Sequence, residues 1–236
     1  MHSYGGGVTP NSTCHILRSV GGAFSKPVFL GEFGVQTANG VYAPSSQHFN
    51  DPTGISIQQM AWSSLVCGGA GTAMQWWWNT MDEDNNYHRL KGVATFTTNS
   101  LDVTKFKWSA GCNVSTGSAE VEGICSVGDS PSAVAVLVWV WSPASTWQRR
   151  PRNATDAMLP TIPGGNLSIE GLQPCAFSVV LVNTSTGTEV GPPTTVVVAR
   201  AGDPLPLRRP ALQTDATLLC TCQKKTAPPV AAAEGS

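Results

Sequence analysis

Apolar and polar positions follow two different rhythms along the chain. Over the first ~98 residues, strand and helix signals alternate. Asn11-Ser12-Thr13 offers an N-cap ahead of Ile16, Leu17 and Val20, with Gly21-Gly22 as a stop. Lys26-Pro27 opens the apolar run Val28-Phe29-Leu30-Gly31-Glu32-Phe33, bounded by Gly34, which predicts a buried strand ending in a carboxylate. Residues 36–54 are polar and long for a loop, which makes them a functional candidate. Ile57, Ala61 and Leu65 then fall on one helical face, closed by Gly68-Gly69. A second strand is predicted from Thr72 to Trp78, ending in Trp76-Trp77-Trp78-Asn79 and a polar loop to His88. Strand, long loop, helix, strand, long loop is the rhythm of parallel βα units.

After about Asn99, short strands separated by Gly, Pro and Ser clusters take over. They are predicted at 133–141, 167–169, 176–182, 194–199 and 216–220, with Asn183-Thr184-Ser185-Thr186-Gly187 as a hairpin connection. Both faces of the first are apolar: Ala135, Leu137, Trp139 and Trp141 on one, Val134, Val136, Val138 and Val140 on the other. Such a strand is covered on both sides, by a second sheet and by the preceding domain. The pattern predicts an α/β portion over 1–98, an antiparallel β-sandwich over 99–222 and a disordered Ala/Pro-rich tail over 223–236.

Composition narrows the classes. The 236 residues are 41% apolar and only 12% charged, with a net charge of −1. That describes a globular chain without the basic footprint of a nucleic-acid binder. The longest apolar run, Ala133 to Trp141, is too short for the ~20 residues of a membrane span. No basic-then-apolar leader follows Met1. Asn-x-Ser/Thr acceptors at Asn11, Asn113, Asn153, Asn166 and Asn183 nevertheless suit surface loops of a secreted protein. Seven cysteines are an odd count, so any disulfide set leaves one thiol over or one partner missing from the chain. Cys220-x-Cys222 lacks a second ligand pair at zinc-like spacing, so neither a metal nor another cofactor is expected.

Candidate chemistry begins at Glu32. A charge at the end of an apolar strand is costly unless it sits at the exposed carboxyl end of a parallel sheet, where α/β folds place their sites. A solvated carboxylate at a strand end is the plain alternative. The tryptophans add a second signal, because a flat indole stacks on the apolar face of a sugar ring. Trp76 and Trp78 share one strand face and Trp77 takes the other, so one face can line a site, although all three can equally be core. His2-x-Tyr4 adds an imidazole and a phenol on one face of another strand end. Asp82, Glu83 and Asp84 read as a solvated acidic loop. No Gly-x-Ser-x-Gly elbow, phosphate-cradling Gly-rich Lys loop or His-Glu-x-x-His is present.

Together His2-x-Tyr4, Lys26 through Gly34, and Gly68-Gly69-Ala70-Gly71 through Trp78-Asn79 resemble the last three βα units of a clan A glycoside hydrolase. The likeness is to cellulase- and mannanase-like family 5 members with an appended C-terminal β-domain. The segments Gly164 to Ile169, Cys175 to Ser178, Asn183 to Gly187 and Leu207 to Asp215 resemble that appended sandwich. The resemblance implies a partial (β/α)₈ TIM barrel (the last three βα units) followed by an antiparallel β-sandwich. It implies Glu32 as the catalytic nucleophile, with Tyr4 hydrogen-bonded to it and His2 orienting nearby groups. Trp76 or Trp78 would be the sugar platform, with Asn79 beside it.

The implied reaction is retaining hydrolysis of an O-glycosidic bond, in which a second carboxylate about 5–5.5 Å from the nucleophile serves as acid and base. In the family that residue is the Glu of an Asn-Glu pair, and no Asn-Glu pair occurs here. A complete barrel takes about 250 residues, and only ~98 precede the sandwich. The expectation is therefore the C-terminal fragment of a secreted retaining β-glycosidase, inactive as it stands, with a carbohydrate substrate and no nucleic acid or membrane span. The alternative is a non-catalytic carbohydrate-binding or cell-surface sandwich protein.

Overall fold

The structure is a computed structural model that describes residues 2–4, 8–24, 26–34, 51, 53–71, 74–76, 78–150 and 154–224, with backbone only for 3, 4 and 78–80. In chain order these form strand β1 (His2–Tyr4), helix α1 (Pro10–Ala23), strand β2 (Glu32–Gly34) and helices α2 (Ile55–Val66), α3 (Trp78–Glu83) and α4 (Lys91–Asn99). Nine further strands follow: β3 (Lys107–Ser109), β4 (Asn113–Ser115), β5 (Glu122–Asp129), β6 (Ala133–Trp141), β7 (Gly165–Glu170), β8 (Cys175–Val182), β9 (Glu189–Val198), β10 (Leu205–Arg209) and β11 (Asp215–Gln223).

The later strands form a six-stranded sheet, β3-β5-β6-β11-β8-β9, and a three-stranded sheet, β10-β7-β4. Every pairing in both is antiparallel. Strand β6 has the bounds the apolar run predicts, and its two faces part company. Val136, Val138 and Val140 join Leu167, Ile169, Leu205 and Leu207 in the core between the sheets. Ala135, Leu137, Trp139 and Trp141 join a second core with the helices, so the strand is covered on both sides. The predicted hairpin joins β8 to β9, with the Gly187 N–H donating to the Asn183 carbonyl at 2.7 Å.

Helix α2 is the centre of the second core. Every side chain except Leu65 is buried, the polar Ser56, Gln58, Gln59, Ser63 and Ser64 included. Its orphan N–H groups are capped by Asp51, whose carboxylate accepts from Ile55 N at 3.1 Å and Ser56 N at 2.6 Å. Helix α1 packs beside it and starts at Pro10 with Thr9 as N-cap in a reciprocal box with Ser12. The cap lies ahead of the predicted Asn11-Ser12-Thr13, and the helix runs through Gly21-Gly22 to Ala23. Disulfide Cys14–Cys67 ties α1 to the end of α2. Cys112–Cys125 and Cys175–Cys222 staple the sandwich, and Cys220 is the buried free thiol.

The partial TIM barrel is corrected. Parallel pairing among the described residues is confined to β1 with β2, three residues each, and a single bridge from Phe33 to Gln75. Antiparallel sheets dominate, with four short helices. The apolar run 28–33 contributes only its end to a strand, so Glu32 opens β2 instead of closing a longer one. Trp78 opens helix α3 where a strand end was predicted. The physical reason lies in β6: its outward tryptophans, stacked at 4.5 Å, offer the helices a large apolar platform. The helices form a layer on the six-stranded sheet instead of a ring around a parallel one. Of the other expectations, residues 36–50, Trp77 and the tail 225–236 lie outside the described residues.

Candidate functional site

Strands β1 and β2 run parallel in the register His2↔Glu32, Ser3↔Phe33, Tyr4↔Gly34. Residues directly opposite in a parallel pair share a face, so His2 and Glu32 stand side by side. His2 Nδ1 lies 2.8 Å from Glu32 Oε2. The His2 side chain is 53% exposed and that of Glu32 only 18%, so the carboxylate is set into the surface with the imidazole at its rim. With the proton on Nδ1, the ring donates to the carboxylate and fixes its orientation.

The residue after Glu32 anchors the site. Phe33 is fully buried with Leu30, Ile55, Met60 and Trp62, which holds β2 onto the helical layer. Its backbone seats the segment 74–76: Phe33 N donates to Met74 O and Trp76 N donates to Phe33 O, both at 2.8 Å. Gln75 therefore lies opposite Phe33 on the buried face, with neither amide atom hydrogen-bonded among the described residues. Met74 and Trp76 fall on the face of Glu32 and are 52% and 39% exposed. An inset carboxylate, an imidazole and a half-exposed indole thus come together on one small parallel sheet.

Of the residues singled out in the sequence, the structure pairs His2 with Glu32 and places Trp76 on the same face of the segment beside β2. Tyr4 lies on β1, and Trp78 and Asn79 open α3; their side chains lie outside the described residues. Asp82, Glu83 and Asp84 are exposed. Burial raises the Asp84 carboxyl above its ordinary range, with the charges of Glu83 and then Asp51 adding to it. Among the described residues no three His, Cys, Asp or Glu side chains converge to hold a metal ion.

Two further features carry no sequence signal that pattern reading used. A polar cluster inside the helix–sheet contact joins Gln58, Arg89, Thr184, Trp139 and Asp215. Its one trace in the sequence is Gln58-Gln59, set between the apolar Ile57 and Met60 of α2. The second is an open groove of about 1530 Å³ at one end of the six-stranded sheet, where Ser178, Thr195, Thr221 and Gln223 line it with Val134 and Val197. No residue of the His2–Glu32 pair or the Trp76 segment borders it. No known protein-family model and no curated protein matches this chain.

Proposed function

We propose that the chain is the C-terminal part of a secreted retaining β-glycosidase, with Glu32 as its nucleophile. The observation that carries this reading is the Glu32 carboxylate, inset and held at 2.8 Å by His2, with Trp76 on the same face of the adjoining segment. A nucleophilic carboxylate needs a fixed orientation and partial shielding from water, and a sugar ring needs an apolar plate beside it. The motifs around Glu32 and Trp76 resemble those of family 5 glycoside hydrolases, and the substrate class is a β-linked oligo- or polysaccharide. The Asn-Glu pair whose Glu the resemblance implies as acid/base does not occur in this sequence. Three disulfides favour an oxidising, extracellular setting, and no helix among the described residues is long and apolar enough to cross a membrane.

A glycoside with a very good leaving group needs no general acid, so a lone nucleophile can be revealed. The chain is incubated with dinitrophenyl 2-deoxy-2-fluoro-β-glycosides of glucose and mannose. The expected result is one equivalent of dinitrophenolate and a fluoroglycosyl adduct on the peptide carrying Glu32, both absent in Glu32→Gln. Adducts elsewhere, or none with a folded chain, overturn the reading.

A second reading, a non-catalytic carbohydrate-binding protein, is favoured by the open groove on the six-stranded sheet, largely apolar but with the Ser178, Thr195 and Thr221 hydroxyls and the Gln223 amide in its lining. Oligosaccharide binding that survives Glu32→Gln and Trp76→Ala but is lost in Gln223→Ala supports it over the first.

A further inference from the structure

The three-stranded sheet has one face in the sandwich core and one facing solvent. Side chains alternate along its strands, so Val114, Leu167, Ile169, Leu205 and Leu207 point inward. The outward set comprises Asn113 and Ser115 on β4, Asn166, Ser168 and Glu170 on β7, and Pro206 and Arg208 on β10. All of these are exposed except Ser168, which is half-buried. Two Asn-x-Ser sequences, 113–115 and 166–168, therefore lie on this single outer face. Their serines sit directly opposite each other in the register Ser115↔Ser168.

The described sequons differ in what their side chains already do. The Asn113 and Asn166 carboxamides are exposed and make no hydrogen bond among the described residues. Asn11 donates its Nδ2–H to Glu122 Oε2 at 2.8 Å, and its sequon threonine, Thr13, is fully buried against Met60 Sδ at 3.1 Å. Asn183 Oδ1 accepts the N–H groups of Ser185 and Thr186, both at 3.0 Å. Its hairpin is wedged against α4, where a Cβ on Gly92 would run into the Thr184 carbonyl and one on Gly187 into the Gly92 carbonyl. Asn11 and Asn183 are themselves exposed, so what sets them apart is the use already made of the side chain. A glycan at Asn11 takes the nitrogen that serves Glu122, and one at Asn183 must leave intact the Oδ1 bonds that shape its docked hairpin.

We propose that Asn113 and Asn166 carry N-linked glycans, and that Asn11 and Asn183 do not in the folded protein. The carboxamide nitrogen bonds to the anomeric carbon of a lipid-linked oligosaccharide diphosphate. The sugar–phosphate bond breaks, the diphosphate leaves, and the amide proton passes to a base of the transferring enzyme. Asn113 pairs with Glu170, four residues from Asn166 on β7, so the two acceptors stand about 13 Å apart along the strands. Two glycans fit side by side at that spacing. A shallow depression of about 460 Å³ lined by Ser115, Asn166, Ser168, Pro206 and Arg208 gives the first sugar on Asn166 a surface to lie on. The consequence is a sugar-clad outer sheet that leaves both the Glu32 face and the groove of the six-stranded sheet open.

The proposal rests on the extracellular part of the reading above, and the test separates the two. The full chain, with Asn153→Gln to silence the sequon outside the described residues, is expressed behind a supplied secretory leader in a eukaryotic host. The leader removes any dependence on the native route, which is tested separately by locating the protein in its own source cells. Disulfide-bonded product is deglycosylated enzymatically in heavy-oxygen water, which marks each occupied asparagine as labelled aspartate. Label is expected at Asn113 and Asn166 and absent at Asn11 and Asn183, and Asn113→Gln and Asn166→Gln each remove one of two mobility steps. If little product is secreted, the same mapping is made on chain translocated into microsomes. A product bare at Asn113 or Asn166, or glycosylated at Asn11 or Asn183, overturns the assignment.

Discussion

Gln58 donates its Nε2–H to Oδ1 of Asp215 at 2.8 Å, across 157 residues of sequence, and this bond joins the buried helix α2 to the first residue of β11. The other end of the same amide is also used, since Gln58 Oε1 accepts from Arg89 at 3.2 Å. Asp215 in turn takes Trp139 Nε1–H on Oδ2 at 2.8 Å and the Thr184 hydroxyl on Oδ1 at 3.0 Å. Much of the contact between helices and sheet is apolar, and apolar packing tolerates sliding. These directional bonds select one seating of α2 on the sheet, which also fixes where β2 and Glu32 lie.

Asp215 should make stability depend on pH in the direction opposite to an ordinary salt-bridged carboxylate. Burial raises its pKa, outweighing the hydrogen bonds from Trp139, Thr214 and Thr184 and the charge of Arg89. The folded state therefore holds this proton more tightly than the unfolded one. The stability from that proton is full below about pH 3.9 and is lost as pH rises through the raised value. Asp215→Asn cannot titrate, and it sets an NH₂ group against a donor, which costs about 1–3 kcal/mol. Urea unfolding at a series of pH values should show wild type ahead of the variant at acid pH, with the gap narrowing as pH rises. Parallel curves would refute the raised pKa.

Asp156 should act the other way. Its burial works to raise the pKa, but the hydrogen bond and charge of Arg89, followed by those of Arg150, outweigh it and leave the carboxyl low. Its contribution is present above the ordinary carboxylate range and is lost as pH falls through the lowered value. The Asp156 side chain is 37% exposed, so solvent screening keeps the ion pairs themselves modest. Arg89 matters more for what it leaves behind. Its Nε–H serves the Thr53 carbonyl at 2.7 Å and its Nη1 serves Gln58. Arg89→Ala should cost about 1–3 kcal/mol by stranding these acceptors. Arg89→Lys should recover little, because an ammonium cannot reproduce the planar fork. Full recovery by lysine in equilibrium unfolding would show that charge alone matters there.

How far such relationships can be read from sequence depends on how local they are. Strand β6 was legible to the residue because nine consecutive apolar positions admit one reading, a strand covered on both faces, and the hairpin at 183–187 carries its own turn residues. Glu32 stands out as a charge beside an apolar run, but the resemblance implies Tyr4 as its partner, and the register sets His2 beside it instead; a register between strands thirty residues apart leaves no local mark. The parallel rhythm of the first ~98 residues misled. Helix and strand periodicity says that elements exist, and the platform of Trp139 and Trp141, far along the chain, decides what they pack on. Trp78 failed for a similar reason, because a short polar–apolar mixture such as residues 78–83 forms a turn of helix as readily as the end of a strand. Disulfide partners were beyond reach, since six paired cysteines alone allow fifteen connectivities.

Gly92 is a position where a single methyl group should be felt through the whole assembly. A Cβ there runs into the Thr184 carbonyl oxygen, and Trp62 Nε1 donates to that same oxygen at 3.0 Å. Helical alanine is worth about 1 kcal/mol more than glycine where there is room. Here there is none, and backbone cannot swing aside as a flexible side chain would. Gly92→Ala should therefore lose about 1–3 kcal/mol net by overpacking, whereas Gly21→Ala in α1, with open space around its Cβ position, should be neutral or stabilising. Thermal melts of the two variants give the comparison, and a stabilised Gly92→Ala would show that the hairpin does not dock on α4.

Cys220 should behave as a silent thiol that reports unfolding. It lies at the centre of β11, between Val136 of β6 and Val179 of β8, with no exposed surface. Burial pushes its pKa up to about 12. The thiolate fraction at pH 7 is then about one part in 10⁵, and steric access removes what reactivity remains. The neighbouring Cys222 is held by Cys175, so exchange within β11 would need the same unreactive thiol to attack. Alkylation of the native chain should be undetectable over hours, and its rate in denaturant should follow the unfolded fraction. Cys220→Ala should keep all three disulfides and cost little, since a small apolar residue replaces a small apolar thiol. Cys220→Ser should cost about 1–3 kcal/mol, because it buries a hydroxyl in a wall of valines. Rapid labelling of the native protein would mean that β11 opens locally, and with it the hydrogen bond from Gln58 that seats the helical layer.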